Sequence, residues 1–140
     1  MRRLRQPSVF LVAILFCLAV VGPALAGTAK GGGRFVGKTA QGYPVHLGAD
    51  QRQISLIRIK VKLRCRNGGL LFDDLSDFES AALRRNGRFN DIQHGTTDEV
   101  HWRGGFNGAK VSGSIRVEDR LKDGVRCDSG NVRFSARQRG

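Results

Sequence analysis

Between Ile57 and Arg66 the chain alternates strictly, with Ile57, Ile59, Val61, Leu63 and Cys65 taking turns with Arg58, Lys60, Lys62, Arg64 and Arg66. Successive side chains of an extended strand point to opposite faces. The pattern therefore predicts one long half-buried strand, with the apolar set against a core and the cations on the other side. This run sets the architecture and the electrostatic character of the chain, but it names neither a reaction nor a ligand.

The N-terminus bears on the compartment. Arg2, Arg3 and Arg5 form a basic head, Ser8 to Gly22 is apolar, and Ala24-Leu25-Ala26 fits a small-residue cleavage site before Gly27. Residues 1–26 are therefore expected to be a signal peptide removed on export. An uncleaved anchor is the competing reading, since about 18 apolar residues reach across a bilayer. The placement of the A-x-A site and the lack of a basic cluster directly after it favour cleavage. A lipid-anchored form would need a small residue where Phe16 precedes Cys17.

Losing Arg2, Arg3 and Arg5 with the leader lowers the formal charge from +12 to +9, and Cys17 leaves as well. Cys65 and Cys127 remain, and two cysteines outside the cytoplasm have a single intramolecular pairing, so a Cys65–Cys127 disulfide is expected. They lack a C-x-x-C spacing and an adjacent histidine, which argues against redox exchange or metal binding.

The remaining residues amount to one domain with a single core and no transmembrane segment. Residues 27–33 are glycine-rich and read as a flexible lead-in, leaving 34–140 as the domain. Short β-rich runs then alternate with glycine turns. Arg34 to Thr39 and Tyr43 to Leu47 form a hairpin about Gln41-Gly42, and Asn67-Gly68-Gly69, Asn86-Gly87, Asn107-Gly108 and Asp123-Gly124 mark further reversals. Between them lie Arg88 to Gln93, Val100 to Phe106, Val111 to Glu118, Val125 to Cys127 and a last strand in which Val132, Phe134 and Ala136 alternate with Arg133, Ser135 and Arg137. Ser76 to Leu83 reads equally as a strand or a helical turn. The class is all-β: an antiparallel β-sandwich or partly closed meander barrel of about eight strands with one disulfide. Trp102 shares its phase with Val100, Gly104 and Phe106 and so reads as core, and Gly113 leaves a gap suggesting a bend or close backbone approach.

The set Phe35-x-Gly37-x-Thr39, Cys65, Gly105-Phe106-Asn107-Gly108, Val111-Ser112-Gly113 and Cys127-Asp128-Ser129-Gly130-x-Val132-x-Phe134-x-Ala136-Arg137 resembles a group of small exported bacterial β-domains of unknown function. The resemblance covers most of the chain after the leader, fits poorly over Asp73 to Glu79, and implies fold and export without an activity.

Candidate chemistry is sparse. His94, Asp98, Glu99 and His101 offer imidazoles and carboxylates for a metal or an acid/base pair, but match no specific spacing. Asp73, Asp74 and Asp77 lack the ordered ligand loop of a calcium site. Ser129 is not in a G-x-S-x-G elbow. No catalytic residue, metal or cofactor is expected. The best functional lead is the stripe Arg58, Lys60, Lys62, Arg64 and Arg66, whose cations span about 26 Å of strand and match a row of anionic groups on a polymer. The expectation is a secreted or envelope-associated, non-catalytic domain that meets anionic envelope or extracellular polymers through this strand, without specific nucleic-acid recognition. The alternative is a small secreted protein-binding or inhibitor module using the His94 to Asp98 loop and the Trp102 strand. A plainer reading leaves the stripe as a solvated face, partly neutralised by the acidic segment.

Overall fold

The computed structural model describes residues 32–76 and 78–140, so the leader, the lead-in up to residue 31 and Asp77 lie outside the described residues. The strands are β1 (Gly33–Thr39), β2 (Pro44–Ala49), β3 (Gln53–Cys65), β4 (Leu70–Ser76), β5 (Ala81–Ala82), β6 (Arg88–His94), β7 (Asp98–Asn107), β8 (Lys110–Arg120), β9 (Arg126–Asp128) and β10 (Val132–Gln138). No helix occurs among the described residues. The turn glycines Gly68, Gly87, Gly108 and Gly124 all have positive φ, the conformation for which the Asn-Gly and Asp-Gly pairs are suited.

Neighbouring strands run antiparallel, and six of them, in the order β1-β2-β3-β9-β8-β10, close on themselves through the β10–β1 and β10–β8 pairings. Of the two architectures expected, sandwich or partly closed barrel, the chain adopts the barrel, and its ring of six strands is closed. β7 and then β6 continue the sheet from the free edge of β8, while β4 and β5 pair with the outer edge of β3. The strands number ten where about eight were expected. The difference falls in the acidic region, which forms β4 and the two-residue β5, with no helical turn among its described residues. Two adjacent aspartates, Asp73 and Asp74, hide the alternation there, but pairing with β3 imposes it: Asp73 faces Val61 and Asp74 faces Lys60.

One expectation about the long strand is corrected. Ile57 is exposed, not part of the core row. Leu47 pairs with Leu56 while His46 pairs with Arg58, so Ile57 is the extra residue of a β-bulge and the inward phase switches from Ile54 and Leu56 to Ile59, Val61 and Leu63. The strand therefore begins at Gln53 and contains two buried rows joined by the bulge. Ile54, Ile59, Val61 and Leu63 are completely buried.

Trp102 is buried as its phase predicts, tilted against Phe89 with ring centroids 4.9 Å apart, and its indole N–H has no hydrogen-bond partner among the described residues. Gly104 and Gly113 face each other across β7 and β8. A Cβ on Gly113 would lie 2.1 Å from the Arg103 carbonyl oxygen and 2.9 Å from the Gly104 Cα, so the gap in the apolar row is a close backbone approach. The seam between β3 and β9 is the shortest in the ring, with two paired positions, Arg64–Asp128 and Cys65–Cys127. The Cys65–Cys127 disulfide crosses it directly, tying together residues 62 apart in sequence.

Candidate functional site

The cations of β3 share a strand but not an environment. Arg58, Lys60, Lys62 and Arg64 alternate with buried neighbours and lie on the outer face, whereas Arg66 follows the strand end, where its amide donates to the Arg126 carbonyl. Arg58 makes a two-pronged contact with Asp74, Nε to Oδ1 at 3.0 Å and Nη2 to Oδ2 at 2.6 Å. Those hydrogen bonds hold the Asp74 carboxyl below its ordinary pKa and push the Arg58 guanidinium up. The acidic segment thus neutralises one end of the stripe.

Lys60 and Lys62 are left without an ion pair among the described residues. The Lys60 ammonium sits 5.8 Å from the Tyr43 ring centre and 5.4 Å from that of Phe72, and the two rings meet edge to face. At Lys62 it is the backbone that is engaged: its amide donates to Gln41 Oε1 at 2.8 Å and its carbonyl accepts from Gln41 Nε2 at 3.0 Å. That side-chain amide extends the ladder past the N-terminal end of β2, a role the turn pair Gln41-Gly42 does not announce. Its ammonium is free to reach outward beside Phe72 and Leu70, both of which are exposed on the edge strand β4.

Arg64 and Arg66 belong to another place, the rim of a cleft of about 550 Å³ at one end of the barrel. Arg116, Arg120 and Arg126 join them there, opposed by Asp98, Glu99, Glu118, Asp119 and Asp128. Across this wall the register lines up His94, Glu99, Glu118, Asp128 and Arg64 on successive strands β6, β7, β8, β9 and β3. Three carboxylates directly opposite one another repel. The row is held by Arg116, whose Nη2 lies 2.9 Å from Glu118 Oε1 and 2.5 Å from Asp128 Oδ2, and by His94 and His101, which both contact Glu99. The Asp128 carboxyl is accordingly held below its usual range, chiefly by the Arg116 hydrogen bonds, and the Glu99 carboxyl chiefly by His101.

The structure brings His94, Glu99 and His101, which lie close in sequence, together as one carboxylate shared by two imidazoles. Asp98 pairs with Asp119 in the opposite, inward phase. No group of three or more His, Cys, Asp or Glu side chains among the described residues is arranged to hold a metal. Asp73, half-buried on β4, has its carboxyl pKa raised, first by burial and then by the charges of Asp119, Asp98 and Asp74. The Ser129 hydroxyl accepts from the Val117 amide and donates to the Gly130 carbonyl, serving the turn before β10.

Strand pairing also assembles cations that sequence reasoning did not group. Neither residues 34–49 nor residues 129–140 contain an Asp or Glu, and β1 and β10, from opposite ends of the domain, are neighbours. One cross-strand row runs Lys110, Arg137, Val36, His46, Arg58 over β8, β10, β1, β2 and β3. The outer wall is therefore basic over β10, β1, β2 and β3, and mixed over β9, β8 and β7. The absence of acids at both ends of the domain was visible in the sequence, but only the β1–β10 pairing makes it one surface.

Comparison with protein-family models, curated proteins and solved structures finds no match for this chain. No described helix is long and apolar enough to cross a membrane.

Proposed function

We propose that this protein is an exported, non-catalytic β-domain that associates with anionic envelope or extracellular polymers, and that it is akin to the small exported β-domains its turn and cysteine motifs resemble. The observation that carries this reading is the segregation of charge on the barrel wall. Lys60 and Lys62 project from β3 beside β2, β1 and β10, whose residues include no acid, so the field over this face is positive, offset only along the β4 edge, where Asp74 lies opposite Lys60. A polyanion lying across the strands would meet the row Lys110, Arg137, His46 and Arg58, and one lying along β3 would meet Lys60 and Lys62. Arg58 contributes less because Asp74 already occupies it.

Reversal of Lys60, Lys62 and Arg64 to glutamate tests the reading. The oxidised protein is passed over immobilised glycerol-phosphate polymer, acidic polysaccharide and anionic vesicles through a salt series. Retention by one of these near physiological salt is expected for the parent and is expected to vanish in the triple variant. Unchanged salt-dependent retention in that variant would overturn the proposal.

A second reading, a secreted protein-binding module, draws on one specific observation. The edge strand β4, paired only with β3 among the described residues, exposes Leu70 and Phe72, and Ile92 is exposed on the other edge strand, β6. Trp102 is not available to such a partner, being buried.

A further inference from the structure

Away from β3, on the opposite flank of the barrel, β6, β7, β8 and β10 enclose a shallow cleft of about 630 Å³. Its charged lining is four arginines, Arg84, Arg88, Arg103 and Arg133, with no carboxylate among the lining residues. The register explains how chain segments so far apart converge. Asn90, Arg103, Ser114 and Arg133 form one cross-strand row over the four strands, and Arg84 and Arg88 are brought in by the turn leading into β6, where the Arg84 amide donates to the Arg88 carbonyl. Arg103 and Arg133 flank Ser114 from either side, about 10 Å apart at two strand spacings. Arg103 Nε lies 3.5 Å from the Ser114 hydroxyl, leaving most of its guanidinium donors free. None of the four arginines makes an ion pair among the described residues. Asp91, the nearest acid in sequence, lies in the inward phase of β6 with Phe89 and accepts from Gln93.

We infer that this cleft is a discrete binding site for a ligand carrying several phosphate or sulfate groups. Four like charges gathered in one concavity repel each other, and no carboxylate among the described residues pairs with them, so the arrangement is relieved by a multivalent anion. All four cations are arginines, whose planar forks hold tetrahedral oxyanions by paired hydrogen bonds where lysine would act as a point charge. Asn90, Asn131 and Ser114 line the same cleft and supply neutral hydrogen-bonding groups between the arginines. The floor is fixed by the Gly104–Gly113 approach, which holds β7 against β8 with no room for a Cβ on either residue. The site shares no residue with the β3 stripe, so it stands or falls independently of the polymer-binding reading.

The test is calorimetric titration of the oxidised protein with tripolyphosphate and, separately, with a multiply sulfated disaccharide, at about 0.15 M ionic strength. Saturable one-to-one binding is expected for at least one probe, and the stronger probe identifies the source of the anion. The exposed pair Arg103→Gln and Arg133→Gln should weaken it about tenfold or more, while Lys60→Gln with Lys62→Gln should leave it within about twofold. Absence of saturable binding, or equal loss in both double variants, overturns the site and leaves only generic charge attraction. Nitrogen-15 spectra of the parent protein make the test independent of variant folding: probe-dependent shifts should concentrate on the Arg103 and Arg133 Nε–H groups, and shifts spread evenly over the surface arginines would refute it.

Discussion

Breaking the disulfide tests the account of how the barrel closes. The β3–β9 seam has two paired positions, one of which carries the cystine, so replacing Cys65 and Cys127 by serine leaves the ring held there only by that two-residue backbone pairing and the Arg66 amide bond to Arg126. The larger effect is on the unfolded chain. Releasing a cross-link between residues 62 apart restores about 14 cal/mol/K of chain entropy, or about 4 kcal/mol at room temperature, in the loop-closure treatment. That is a large part of the 5–15 kcal/mol typical of a small domain. Urea unfolding of the oxidised protein and of the double serine variant, followed by tryptophan fluorescence, is expected to show a drop of about 4 kcal/mol and a rise in m, because the unlinked chain exposes more surface when unfolded. Amide exchange should show the second consequence: the Arg66 and Asp128 amides should lose protection before those at the centre of β7 and β8. A loss below about 1 kcal/mol with m unchanged would refute the reasoning, because the seam would then be closed by something other than the cross-link.

Two further outcomes follow from the geometry. Ile57→Ala should cost less than about 1 kcal/mol because the bulge turns that side chain outward, whereas Ile59→Ala should cost about 2–5 kcal/mol; equal costs in chemical denaturation would remove the bulge from the account. Asp73 has a raised folded pKa, so the native state holds its proton more tightly than the unfolded chain and stability falls as pH rises through the interval above about 3.9. Asp73→Asn should therefore raise the melting temperature at neutral pH and confer no gain below about pH 4; a gain that is the same at both pH values would contradict the proposed burial and repulsion. Asp128 runs the other way. Its depressed pKa means the stability it contributes is present above the ordinary carboxylate range and lost as pH falls through the folded value, the direction shared by Asp74 and Glu99 and opposite to that of Asp73.

Much of this molecule can be read locally. Period-two alternation in Val100 to Phe106, Val111 to Glu118 and Val132 to Arg137 is a property of each segment alone and set its core face, Trp102 included. The Asn-Gly and Asp-Gly pairs fixed the reversals because only glycine takes positive φ without strain. The lone eligible cysteine pair gave the cross-link. Ile57 was misplaced because a bulge exists only with respect to a partner strand, and nothing in residues 57–66 records that β2 is one residue short. The acidic segment was ambiguous for a related reason, since its alternation comes from pairing with β3.

Tertiary structure decided the rest. Sandwich or barrel turns on whether β9, three residues long, reaches β3, a contact whose partners are 62 positions apart and which no local pattern encodes. The same closure rearranged the charges. The stripe read as one row of cations became an Asp74-paired arginine, a lysine beside two touching rings, a second lysine without an ion pair among the described residues, and two arginines at a mixed cleft. Meanwhile, arginines from residues 84, 88, 103 and 133 were gathered into one concavity. A sequence specifies which face of a strand each side chain takes because the backbone repeats every two residues; which faces become neighbours depends on strand order and register, and these are set by long-range packing.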